Sequence, residues 1–331
     1  MQTMWKTSVV DVVVGLLKNM TTELQRYQGA LLGLAVGDAL GVPAEFQTRG
    51  TFPKVTEMVG GGVFRLDPGE WTDDTSMALC LGQSLLDKNG FDAVDQMTKY
   101  WAWIESGYMA SNGRMFDIGD TTSDALCRFR KDGNPMAGNE DPKCSGNGSL
   151  MRLAPIPMFF SRIDAGIPMY VHNAQLMSAT THASPDCMLA CGFMSGLILG
   201  ALRGESKDMI LSQGYCPQQG YWKTGKLSPI LVDSIMGTYK SKTKDHINSS
   251  GWVLHTLEAA LWCFHNSTTF EDGLIEAVNL GEDADTTGAV YGQLAGAYYG
   301  VDSIPKRWVD KTVKVDLIID MANKIYNKRT V

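Results

Sequence analysis

The run ELQRYQGALLGLAVGDAL, from Glu23 to Leu40, decides how the rest of the chain is read. Its apolar residues recur at helical spacing and no proline interrupts it, so it is expected to form a helix. Gly29, Gly33 and Gly37 fall four residues apart and leave a smooth strip where another helix can approach closely. Working outward, the same 3.6-residue pattern returns in Thr72–Lys88, in Asp92–Ser106 with Trp101 and Ile104 on its apolar side, and in the shorter Thr122–Lys131. It continues through Pro168–Thr181, Pro185–Arg203, Pro229–Tyr239 and Gly251–His265. Thr286–Tyr299 again carries glycines at four-spacing, Gly288, Gly292 and Gly296, and a last helix covers roughly Lys314–Asn327. No run of alternating strands appears, and proline and glycine signals sit mostly between the helices. The expectation is an all-α fold.

Two short acidic motifs carry the chemistry. WTDDT spans Trp71–Thr75, and GEDADT spans Gly281–Thr286. Each packs two carboxylates and a threonine hydroxyl into four residues. Carboxylates placed so close repel one another unless a positive charge sits between them. Hard cations such as Mg²⁺ or Mn²⁺ take all-oxygen ligand sets of this kind, and six such oxygens would suit a two-metal site. Each motif alone also fits a helix N-cap, at Thr72 or Asp283, with acidic residues in the first turn. Both together, each before a helix of small residues, favour metal. The two motifs must then meet, so the chain is read as one compact domain.

Composition narrows the class. The chain has 331 residues, 44% of them hydrophobic and 20% charged, as in a soluble globular protein with a sizeable core. A net charge of −7 and the absence of any basic stripe argue against a nucleic acid held by general electrostatics. The 7 cysteines form an odd set without a C-x-x-C pair, which suggests reduced thiols and a cytoplasmic protein rather than a disulfide framework or a zinc site. The apolar stretches Val12–Leu17 and Cys187–Leu202 are both short for a membrane span, and the second reads as a buried core helix. Glycine-rich loops at Gly60–Gly62, Gly113–Gly119 and Gly138–Gly148 could bring backbone amides to phosphates, although ordinary turns use the same residues.

With these residues in view, the chain resembles the ADP-ribosylglycohydrolase family, enzymes that remove ADP-ribose from modified proteins. The resemblance lies in GALLGLAVGDALG (Gly29–Gly41) with Glu45 following, WTDDT, and FDIGDTT (Phe116–Thr122). It continues through GNGSLMR (Gly146–Arg152), TTHASP (Thr180–Pro185), GWVLHTL (Gly251–Leu257) and GEDADT. Stretches in family order across nearly the whole chain are a specific signal. The resemblance implies a single orthogonal all-α domain over residues 23–331 with a binuclear Mg²⁺ or Mn²⁺ cleft. Carried over by position, Thr72, Asp73, Asp74, Asp283, Asp285 and Thr286 are its metal ligands.

The resemblance also assigns roles in the cleft. Glu45 matches the family's acidic residue at the metals, against the alternative of a surface glutamate. Asp117 matches the general base proposed for the arginine-specific bacterial branch, against the alternative of an aspartate that stabilises a turn. Which of them moves the proton is left open. Asp38 is read as capping or packing the first helix end, with a supporting role at the metals as the alternative. Gly119, Gly146, Asn147, Gly148, Ser149 and Met151 are assigned to substrate, the 146–149 run through its backbone amides at a helix start. His182 is placed near the ribose and Trp252 on the adenine, with structural roles as the competing readings.

The reaction this implies is hydrolysis of the glycosidic bond between ADP-ribose and an arginine side chain of a modified protein. Serine, O-acetyl or nucleic-acid linkages are alternatives within the same fold. Residues 1–22 precede the matched region, and Met4, Trp5, Val9, Val10, Val12–Val14, Leu16 and Leu17 are more apolar than a solvated tail. They are expected to bury against the domain, a second subunit, or an ADP-ribosyltransferase toxin. The last case would make the protein an immunity factor that binds and occludes the toxin.

Overall fold

The computed structural model describes residues 21–162, 168–218 and 228–328. The expectation for Met1–Met20 lies outside them. Among the described residues the fold is all-α, and β-pairing is confined to isolated bridges such as Gly146 with Trp252.

The first helix, α1 (Glu23–Gly41), starts at a capping box: Gln25 N–H donates to Thr22 Oγ1, and Thr22 N–H donates to the Gln25 side chain. From Gly29 to Gly41 every residue is buried, so this is the central helix of the core. The glycine strip explains how. A Cβ on Gly29, Gly33 or Gly37 would lie 2.2, 2.4 or 2.1 Å from the carbonyl oxygen of Gly296, Gly292 or Gly288. The partner is α12 (Ala284–Tyr299), running antiparallel, and the two backbones touch along their length. No side chain larger than hydrogen fits in that seam. The register has a functional consequence: Gly41, at the end of α1, meets the Asp285 backbone at the start of α12.

Around this pair pack α2 (Asp73–Lys88), α3 (Ala93–Ser106), α4 (Asp120–Asp132) and the short α5 (Pro155–Phe159). The sequence continues with α6 (Met169–Ala179), α7 (Pro185–Leu202), α8 (Lys207–Ile210) and α9 (Pro229–Met236). After them come α10 (Val253–Asn266), α11 (Phe270–Val278), α12, α13 (Lys306–Val309) and α14 (Val315–Lys328). By length and composition α7 could cross a membrane, but 78% of it is buried inside the protein, so it is a core helix.

The structure refines the α3 face and adds a helix. The fully buried positions of α3 are Gln96, Met97, Tyr100 and Trp103, with Trp101 and Ile104 half-buried and packed against the core beside them. The Gln96 amide donates to Tyr100 Oη and Thr180 Oγ1 inside the core and so sits at an inward position. Helix α11 was not foreseen from periodicity. It has only 9 residues, and its clearest mark is Thr269, whose side chain accepts from Asp272 N–H.

Candidate active site and metal centre

Three helix ends converge at one cleft. The α1–α12 register brings the C-terminal end of α1, with Asp38, beside the first turn of α12, with Asp285. Asp38 then fixes the third end. Its carboxylate accepts from Thr72 N–H (2.8 Å), Thr75 N–H (3.1 Å) and Thr75 Oγ1 (2.6 Å). Asp38 therefore caps α2 from another helix, which corrects the expectation that it serves the end of its own. Thr72 occupies the N-cap position of α2, but its side chain makes no capping bond. It donates to Asp74 Oδ2 at 3.2 Å, and Thr286 Oγ1 donates to the same oxygen at 3.4 Å. The two acidic motifs, far apart in sequence, thus meet on one carboxylate. Asp283 makes no side-chain cap either, and its Oδ2 accepts from Asn147 Nδ2 at 2.7 Å.

The loops that complete the floor are strained and clipped together. Glu45 precedes Phe46, Asp117 lies in the loop before α4, and Glu282 precedes Asp283. Phe46, Asp117 and Glu282 all have left-handed backbones, with φ of 57°, 56° and 56°. Such conformations persist where surrounding contacts over-determine them, often at functional sites. Here Phe46 N–H donates to the Glu282 carbonyl (2.6 Å) and Glu282 N–H to the Gln47 carbonyl (2.7 Å). Arg49 adds a clamp, donating to the carbonyls of Leu280, Lys244 and Ile247. Glu45 is thereby held against the first turn of α12.

The electrostatics of the floor are unfavourable without a cation. Burial, followed by repulsion from neighbouring acids, pushes Glu45 up to about 9 and Asp117 up to about 7. Burial raises Asp38 to about 6 although the hydrogen bonds from Thr72 and Thr75 oppose the rise. Asp73, Asp74 and Asp285 are raised well above the usual carboxylate range, again by burial first and acidic neighbours second. Buried Glu45 Oε2, Asp74 Oδ1 and Asp285 Oδ1 have no hydrogen-bond partner among the described residues. Buried polar atoms are seldom left so, and oxygens with free lone pairs in a like-charged cluster are what a hard cation would satisfy. Ligand atoms of Asp38, Asp74 and Asp285 lie within 4.8 Å of one another, as do those of Glu45, Asp117 and Asp285. Asp285 belongs to both sets. The residues fit a divalent-cation site.

The opposite wall is polar and neutral. A short antiparallel pairing, Asn147 N–H to the Gly251 carbonyl and Val253 N–H to the Ser145 carbonyl, holds the 145–147 segment against the start of α10. His182, 2% exposed, packs its ring on Gly148, where a Cβ would come within 2.9 Å of Cε1. Burial, then the charge of Arg152, lowers His182 to about 3, so its ring stays neutral.

A match to the ADP-ribosylglycohydrolase family model covers residues 19–331. The chain belongs to the ADP-ribosylglycohydrolase family. It is 40% identical over 303 residues to ADP-ribosylarginine hydrolase Tri1 of Serratia proteamaculans, covering 92% of this chain and 79% of that protein. It is 34% identical over 291 residues to ADP-ribosyl-[dinitrogen reductase] glycohydrolase of Rhodospirillum rubrum, covering 86% and 90%. A solved structure described as an ADP-ribosylglycohydrolase-related protein complex superposes with a TM-score of 0.81 at 40% identity, over 93% of this chain and 99% of that one.

The cleft of this family member brings together most of the residues singled out in the sequence. Glu45, Asp73, Asp117, Gly119, Gly146, Asn147, Gly148, Met151, His182, Asp283, Asp285 and Thr286 line it. Thr72 and Asp74 lie behind that lining, fully buried. Ser149 is not part of the lining, and its hydroxyl faces the core, where it accepts from Ser178 Oγ and Cys191 Sγ. The 146–149 segment also leads into turns, with no helix directly after it. Trp252 is half-buried, edge-to-face with His255 at 4.7 Å between ring centroids, and is not part of the lining. Sequence reasoning passed over Phe46, Asp120, Thr121, Thr122 and Gly251, which also line the cleft. Three of these belong to the FDIGDTT motif, so adjacency to Asp117 could have signalled them.

Proposed function

We propose that the protein is a divalent-cation-dependent ADP-ribosylarginine hydrolase that reverses mono-ADP-ribosylation of arginine in a modified protein. The observation that carries this is a cleft with three orphaned buried carboxylate oxygens, in a chain 40% identical to an ADP-ribosylarginine hydrolase. Thr72, Asp73, Asp74, Asp283, Asp285 and Thr286 would hold two Mg²⁺ or Mn²⁺ ions, with Asp38 supporting them through the α2 end. Bound there, the ions would orient ribose hydroxyls and acidify a water.

The chain's own part is positioning and proton transfer. Glu45 and Asp117 reach into the cleft beside Asp285 and are the pair suited to move protons. In the hydrolysis a water oxygen bonds to the anomeric carbon as the bond to the guanidine nitrogen breaks. One carboxylate takes the water's proton, and a proton is delivered to the departing guanidine. His182 and the amides of Gly146 and Gly148 would face the nucleotide sugar across the cleft.

The deciding experiment incubates the protein with arginine-, serine- and nucleotide-linked ADP-ribose, with Mg²⁺, Mn²⁺ or a chelator. Release from the arginine linkage alone, abolished by the chelator, is expected; release only from another linkage overturns the assignment. Occlusion of an ADP-ribosyltransferase by residues 1–22 is a separate proposal, motivated by their apolar content. Deleting residues 1–20 would then abolish binding to the transferase and spare hydrolysis.

A further inference from the structure

Behind the neutral wall sits a charge with no acidic partner among the described residues. Arg152 is fully buried. Its Nη2 donates to Thr181 Oγ1 at 2.6 Å, its Nη1 lies 3.6 Å from Met77 Sδ, and its guanidinium carbon is 4.7 Å from the centroid of the Tyr100 ring. Nε has no acceptor among the described residues. A buried cation satisfied only by neutral groups is costly, so its one short hydrogen bond matters.

That bond decides which way a proton points. Thr181 Oγ1 accepts from Arg152 and lies 2.8 Å from His182 Nδ1. A hydroxyl has a single proton. With an oxygen lone pair already committed to the guanidinium, Thr181 donates that proton to Nδ1. An N–H at Nδ1 would instead leave the hydroxyl proton without an acceptor among the described hydrogen bonds. The ring proton therefore resides on Nε2. This nitrogen lies on the ring edge that faces the glycine wall, where a Cβ on Gly148 or Gly146 would sit 3.1 or 3.5 Å from it. His182 itself lines the cleft.

We propose that Arg152 is a positioning residue that acts through Thr181 to lock His182 as the Nε2–H tautomer, giving the cleft one fixed neutral donor for a ligand oxygen. The ligand half of this inference rests on the reading of the cleft as a nucleotide-sugar site; the relay half does not. An acceptor such as a ribose hydroxyl or a phosphate oxygen matches such a donor. Because the imidazole is neutral, it supplies direction without adding charge beside the acidic floor. A lysine at 152 could not keep the guanidinium's planar geometry, and a bulkier residue at 148 would displace the ring.

The test reads the tautomer directly. In protein labelled with ¹⁵N-histidine, long-range ¹H–¹⁵N correlation of His182 should show a protonated-type Nε2 and an unprotonated-type Nδ1. Thr181→Val should mix or reverse this pattern, and Thr181→Ser should restore it. For ADP-ribosylated arginine, Thr181→Val should raise KM about five- to tenfold with kcat little changed, as expected for loss of one ground-state hydrogen bond. Binding of free ADP-ribose should weaken by the same factor. An Nδ1–H tautomer in the wild type, or an unchanged tautomer in folded Thr181→Val, overturns the relay. A changed tautomer with unchanged ADP-ribose affinity overturns the ligand contact. The spectrum needs no substrate, so failure of the arginine assignment would not be mistaken for failure of the relay.

Discussion

The two sides of the cleft are built on opposite principles. The floor, at the ends of α1, α2 and α12, concentrates Glu45, Asp73, Asp74, Asp117, Asp283 and Asp285 and leaves three buried oxygens without partners. The wall, at 146–151 and 181–182, pairs its polar groups with neutral and acidic neighbours: Asn147 Nδ2 donates to Asp283 and Thr256, and His182 Nδ1 pairs with Thr181 Oγ1. The floor is arranged for a charge that the chain does not itself supply. The wall is organised before any ligand arrives. The contrast teaches that stability and function conflict on the floor but coincide on the wall.

The sharpest break in this comparison is at Asp285, the carboxylate common to both acidic sets. Asp285→Ala should reduce hydrolysis by more than the roughly 100-fold that loss of an outer-shell partner can cost, and should weaken cation binding in calorimetry. Melting of the cation-free variant should not fall below that of the cation-free wild type, because a repelling charge has been removed. A large drop would make Asp285 a structural residue and erase the contrast.

A second test follows from the sign of the shifts. Glu45, Asp117 and Asp38 hold their protons up to about 9, 7 and 6 in the folded, cation-free protein, above their values in the unfolded chain. The folded state thus binds more protons over that window, so this contribution is fully present below the ordinary carboxylate range and is lost as pH rises through the folded values. The melting temperature measured in chelator should fall by several degrees between pH 5 and pH 9. With Mg²⁺ or Mn²⁺ the fall should flatten, because cation binding displaces those protons. Identical slopes with and without cation would mean the floor is not a metal site.

Asp38→Asn sharpens the comparison from behind the floor. The amide can still accept from α2, but one charge and one acceptor oxygen are gone. Cation affinity should fall about 10- to 100-fold with little change in fold by circular dichroism. An unchanged affinity would confine Asp38 to capping. The smallest effect is expected at Trp252, outside the lining. Trp252→Ala should weaken ADP-ribose binding by about 1 kcal/mol, the low end for base stacking, since the ring is half-buried and lies outside the lining. A loss several times larger would place the adenine on this ring.

Much of this was legible before the structure. The glycine spacings in Glu23–Leu40 and Thr286–Tyr299 marked helices that permit close approach. The paired carboxylates of WTDDT and GEDADT marked a candidate cation site, because repulsion between neighbouring charges is a local property. Asp38 was read as serving its own helix end because adjacency along a helix does not say which distant neighbour will supply a hydrogen bond.

The sequence by itself determined the helical class, the two acidic clusters and the surfaces smooth enough to bring backbones together. Only the tertiary structure decided that Gly29, Gly33 and Gly37 face Gly296, Gly292 and Gly288 in antiparallel register, that Asp38 caps α2 rather than α1, and that Arg152 reaches Thr181 beside His182. The physical reason is the range of the forces. Helical periodicity and charge repulsion act between residues close in the chain, whereas a hydrogen bond or backbone contact between distant segments exists only once packing has brought them together.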